Sequence, residues 1–76
     1  MTTVREFTSK MWYEQKIAVI KWKEFDKCNN IDDIRKAALM VGKNYQLRSI
    51  NYDNVNGMLV DSYGVMDDTL IIEVHW

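Results

Sequence analysis

Thr69-Leu70-Ile71-Ile72-Glu73-Val74-His75-Trp76 is the stretch on which the fold turns. Leu70, Ile72, Val74 and Trp76 alternate with Thr69, Ile71, Glu73 and His75. A period of two predicts a β-strand, with the fully apolar side on the core. The other side, with the turn before it, would place Asp67, Asp68, Glu73 and His75 outward. A lone strand is not stable, so the rest of the chain must supply partners and cover.

Immediately upstream, Gly64-Val65-Met66-Asp67-Asp68 reads as a turn rich in strand breakers, preceded by a strand over 58–63. Asn56-Gly57 is a two-residue hairpin signal, because both central positions of that turn need positive φ. In that register Val55 faces Met58, Asp53 faces Val60 and Ile50 faces Tyr63, and neither side is uniformly apolar. A longer loop over 53–57 is the alternative. A further strand is expected over 45–52.

The first half carries the helices. Thr3 can cap a helix with Glu6 at the third helical position, as in a capping box, and Val4, Phe7 and Met11 fall at helical spacing. That helix is expected to end near Trp12. Residues 16–25, Lys-Ile-Ala-Val-Ile-Lys-Trp-Lys-Glu-Phe, are rich in β-branched and aromatic residues and predict a strand with partly apolar sides, as in an inner strand or one covered at one end. Asn30 can cap a second helix, with Asp32 and Asp33 in its first turn and Ile31, Ile34, Ala38 and Val41 as its apolar stripe. Gly42 would end it. The expected fold is α+β in the order α-β-α-β-β-β. It is a three- to four-stranded, mainly antiparallel sheet with two helices packed on one face, in one domain over 1–76.

Composition bounds the function. Of 76 residues, 47% are hydrophobic, enough for one small core. One cysteine and one histidine exclude an internal disulfide and leave too few ligands for a Cys/His zinc site. The N-terminus lacks the apolar run of a secretory signal, and no stretch is long and apolar enough to span a bilayer. With a lone thiol, this reads as a cytoplasmic protein without membrane contact. The net charge is −1, but residues 1–38 carry +2 and residues 39–76 carry −3. A broad basic field for nucleic acid is lacking.

No catalytic motif stands out, and a non-enzymatic protein without cofactor or metal is expected. His75 reads as a solvated surface histidine. Cys28 lies beside Lys27 but has no recognisable base. Asp32-Asp33 and Asp67-Asp68 read as helix-start and turn chemistry rather than as oxygen ligands for a cation. Lys16, Lys21, Trp22, Lys23 and Lys27 could form a basic, aromatic nucleic-acid surface. The plainer reading is a core Trp22 with lysines guarding an edge strand. Tyr52, Asp61, Tyr63, Asp67, Asp68, Glu73 and Trp76 could form a protein-binding surface of aromatic anchors and carboxylates.

Thr3-Val4-Arg5-Glu6-Phe7 and Asp67-Asp68-Thr69-Leu70-Ile71-Ile72-Glu73-Val74 resemble the two ends of small, uncharacterised phage and prophage proteins of Firmicutes. The resemblance covers about a quarter of the chain and leaves the middle, from Cys28 to Gly57, unmatched. It implies a phage-type accessory protein that binds a host or phage protein. Anti-CRISPR inhibitors of host defence are similar in size and in lacking catalytic motifs. Two alternatives stand beside that expectation. One is a nucleic-acid-binding accessory protein using the strand over 16–27. The other is a small self-assembling protein that forms a homodimer through a free sheet edge.

Overall fold

The computed structural model describes residues 2–75. Helix α1 (Val4–Thr8) leads to strand β1 (Lys16–Lys21), then to α2 (Trp22–Phe25) and α3 (Ile31–Ala37). Strand β2 (Met40–Lys43) follows, then two 3-10 turns (Asn44–Arg48 and Ile50–Tyr52) and α4 (Asp53–Asn56). Strands β3 (Leu59–Met66) and β4 (Thr69–His75) complete the described chain. It is a small α+β fold with one four-stranded sheet in the order β2-β1-β4-β3. The sheet is mixed. β1 is antiparallel to β2 and parallel to β4, and β3 is antiparallel to β4.

Both central strands are buried on both sides. Ile17 and Val19 of β1 join Leu70, Ile72 and Val74 of β4 in one core, which Val4, Met40, Leu47, Val55 and Met58 close. Ala18, Ile20 and Ile71 form a second core on the opposite face with Ile34, bordered by Phe25, Cys28 and Ile31. Helices therefore cover both faces, not one as expected. Ile71 explains the correction. It sits on the side of β4 assigned to solvent but is buried, so that face also needs a cover. Parallel strands with continuous apolar runs are usually covered in this way. Trp76, expected on the apolar side of β4, lies outside the described residues.

The capping box on α1 forms as the sequence implied, with Glu6 N donating to Thr3 Oγ1 at 3.2 Å and Thr3 N donating to Glu6 Oε1 at 3.1 Å. The Thr3 backbone N–H, and after it the Thr3 hydroxyl at 3.1 Å, donate to Glu6 Oε1 and hold the carboxyl below the usual glutamate range. The helix itself stops at Thr8, not near Trp12. Asn30 also caps α3 as expected, its Oδ1 accepting from Asp33 N at 2.9 Å.

Four expected elements differ. The strand over 16–25 ends at Lys21, and its remainder forms α2. α3 stops at Ala37, because Ala38 turns extended and Leu39 N donates to Val19 O at 2.7 Å. This recruits the tail of the helical stripe into β2 as an edge strand. The strand over 45–52 is instead the pair of 3-10 turns. Asn56 stabilises them by donating through Nδ2 to Leu47 O at 2.6 Å and Tyr52 O at 3.1 Å. Asn56-Gly57 is thus the end of α4 and not a hairpin turn, with Gly57 at φ −86°.

The true two-residue hairpin turn is Asp67-Asp68, with φ 48° and 66°. It joins Met66 to Thr69, so Gly64, Val65 and Met66 belong to β3 and not to a loop. Aspartate tolerates this left-handed geometry, though asparagine and glycine do so at lower cost.

Ile71→Ala should lower the unfolding free energy by about 3 kcal/mol in urea titration, since it empties a buried site. A solvent-facing residue would change stability by less than about 0.5 kcal/mol. The double change Asp67→Asn, Asp68→Gly should raise the thermal midpoint, equivalent to about 1 kcal/mol, by relieving the left-handed turn.

Candidate functional site

The β3–β4 hairpin collects most of the residues that the sequence marked for protein binding. A bulge between Val60 and Ser62 sets how they face. The extra residue lets Asp61 and Ser62 both oppose the side of β4 that carries Glu73 and His75. Ser62 Oγ lies 2.6 Å from Glu73 Oε2, and His75 Nδ1 lies 2.6 Å from Asp61 Oδ1. The His75–Asp61 contact is at ion-pair distance without the alignment of a good hydrogen bond. Serine, histidine and aspartate thus share a face. Ser62 is bonded to Glu73 instead of the imidazole, so the nucleophile-to-base link of a triad is not made. Trp22 and Lys23 complete this open, mixed-charge groove.

The opposite face of β3 is apolar and exposed. Tyr63 is 64% exposed and Val65 75%, although both lie in a regular strand. The Tyr63 ring rests 4.9 Å from that of Phe7 in α1. Val65 borders a shallow groove with Met11, Trp12, Gln15, Asp68 and Leu70. Trp12, 62% exposed, stacks at a tilt on Tyr13 with ring centres 4.5 Å apart. Apolar side chains of this size gathered at one sheet edge are the usual material of a contact surface.

Asn44 fixes this aromatic pair. It is buried, and its Nδ2 donates to Thr8 O at 3.1 Å and to Met11 O and Trp12 O at 3.3 Å. Its backbone N–H donates to Gln15 O at 2.8 Å, and Tyr45 N donates to Tyr13 O at 2.9 Å. Gln15 Nε2 reaches across to Asp68 O at 3.2 Å, tying the same loop to the hairpin turn. The loop after α1 is thereby held against the open end of the hairpin.

The other sequence-marked residues fall as follows. Asp67 and Asp68 form the exposed tip of the hairpin, and Asp61 and Glu73 lie on its polar face. Tyr52 does not join them, since it packs beside the first core from a 3-10 turn. Trp76 lies outside the described residues. The basic set is divided. Lys16 and Lys21 stand at opposite ends of β1, about 16 Å apart along a strand. Lys27 follows α2 and pairs with Glu24 at 3.6 Å.

Trp22 is 43% exposed at the start of α2 and β1 is an inner strand, which corrects the expectation of a core tryptophan with lysines guarding an edge strand, and Lys23 Nζ lies 5.5 Å from the Trp22 ring centre. Cys28 Sγ donates to Glu24 O at 3.3 Å. Partial burial, then the carboxylates of Asp33 and Glu24, push its thiol pKa up, away from the reactive thiolate. The two Asp pairs lie on separate elements, and among the described residues no group of three potential metal ligands exists. No helix among the described residues is long and apolar enough to cross a membrane.

Sequence reasoning missed Trp12, Tyr13, Val65 and Asn44. Val65 had a usable signal, since Tyr63 and Val65 stand two apart and would share a strand face. Asn44 had none, because its partners lie more than 30 residues away. No family model, curated protein or solved structure matches the chain, so a functional reading has to come from the surface itself.

Asn44→Ala should destabilise the protein by about 2 kcal/mol, because three carbonyls lose this buried donor, although Thr8 O and Trp12 O keep their backbone bonds from Met11 N and Gln15 N. It should also free the Trp12 loop. The check is faster amide exchange at Met11 and Gln15 together with altered tryptophan fluorescence.

Proposed function

We propose that this chain is a non-enzymatic docking protein that works by binding another protein through the open side of its β3–β4 hairpin. The observation that carries this reading is the exposure of Tyr63 and Val65 in a regular strand, continuous with Trp12. Tyrosine and tryptophan supply large contact area at little entropic cost, and anchors of this type dominate binding energy. Asp67 and Asp68 at the tip add charge that steers a basic partner. The resemblance of both chain ends to phage and prophage proteins supports a phage-type accessory protein as the setting. In that setting the partner is a host protein, and steric inhibition of a defence complex, in the manner of anti-CRISPR proteins, is the mechanism.

Nucleic-acid binding is the second reading, and the half-exposed Trp22 beside Lys23 favours it. The groove next to that ring also holds Asp61 and Glu73, which repel phosphate. The docking reading is therefore the better supported.

Affinity capture from a bacterial lysate, with and without nuclease, separates the two. The expected result is a specific protein that survives nuclease and is lost with Trp12→Ala and Tyr63→Ala. Each variant should weaken capture at least about tenfold while changing folding stability by less than about 1 kcal/mol. Recovery of nucleic acid alone would overturn the proposal.

A further inference from the structure

We infer that β3 accepts an extended, basic segment of the partner as a fifth strand of the sheet. This rests on the docking reading and specifies its mode and chemistry. β3 is the outer strand, beside β4. Thr2 and Thr3 cover only its beginning, where Val60 N donates to Thr2 O at 2.8 Å and Thr3 bridges Leu59. Beyond that point the edge is open among the described residues.

The hairpin register shows which backbone groups face outward. A two-residue turn makes the flanking pair, Met66 and Thr69, a hydrogen-bonded one. Alternation then makes Gly64–Ile71 and Ser62–Glu73 the bonded pairs, with Tyr63–Ile72 and Val65–Leu70 between them. Tyr63 and Val65 therefore direct N–H and C=O away from β4. These are the same two residues whose side chains lie exposed, so one pair presents both a backbone template and apolar anchors.

Charge selects the occupant. Over 59–75 the chain holds Asp61, Asp67, Asp68 and Glu73 with no Lys or Arg, and no Lys or Arg follows Arg48. A second copy paired on this edge would bring two such sets of carboxylates together. A segment alternating apolar and basic residues would instead lay its apolar side along Tyr63, Val65 and Trp12. Its basic side would then meet Asp61 and Glu73 toward the bulge, where Lys23 also lines the groove, and the Asp67-Asp68 tip at the other end of the strand.

The test uses the full chain and a short synthetic peptide of alternating lysine and valine, followed by amide hydrogen exchange. Two further peptides carry N-methyl groups on alternate backbone nitrogens, one in each frame. The expected result is that exchange at Tyr63 and Val65 slows about tenfold with the plain peptide and with one methylated frame only. Equal binding of both methylated frames, or binding that leaves Tyr63 and Val65 exchange unchanged, would overturn strand addition. Docking through side chains would still stand in that case, as judged by the lysate capture and its Trp12→Ala loss. Failure of the plain peptide to bind would also overturn the inference. Equal binding of a peptide with glutamate in place of lysine would overturn its basic chemistry.

Discussion

Parallel pairing of β1 with β4 is the constraint on which the structure depends. Residues 17–20 and 70–72 are apolar without interruption, so neither strand has a side to give to water. Each must therefore lie inside the sheet and be covered above and below. α1, the 3-10 turns and α4 supply one cover, and α2 and α3 supply the other. A chain of 76 residues has little left after covering two faces. The two remaining strands become edges, and they differ in kind. β2 has four residues, while β3 has eight and carries the exposed tyrosine and valine.

Several features were legible because their causes are local. Thr3 with Glu6 and Asn30 with Asp33 cap their helices through bonds spanning three residues. The β-rich run in β1 read as a strand with apolar residues on both sides, but whether it lay inside the sheet or at its edge was open until its pairing with both β2 and β4. β4 read as a strand from its period of two. Its sides were assigned by the company Ile71 keeps, with threonine, glutamate and histidine, when the buried partner Ile34 is far away in sequence.

The illegible features depend on distant partners. Leu39, Met40 and Val41 continue a helical stripe as well as they begin a strand, and the bond from Leu39 N to Val19 O decides for the strand. The contest between turns is similar. Asn56-Gly57 has the stronger local tendency, yet Asn56 is engaged by Leu47 and Tyr52, and the less suited Asp67-Asp68 closes the hairpin. That shift carries the end of β3 three residues past the expected end at Tyr63, to Met66, and creates the Tyr63–Val65 pair. The candidate surface was hidden for the same reason that the turn was misplaced.

An open edge strand with aromatic residues is a hazard as well as a surface, because it templates pairing with any other free strand. β3 lacks the lysines and prolines that usually blunt such edges. Its protection is a bulge at one end, two threonines over its start and carboxylates around the remainder. Carboxylates repel copies of the same hairpin but attract a basic strand, whereas lysines would have reversed that preference. On the proposed docking reading, one choice of charge therefore serves two ends: it disfavours pairing between copies and favours a basic partner. The aspartates of the strained turn fit this account. Asparagine and glycine would close the hairpin at lower cost, but they would remove two of the four charges that guard its edge.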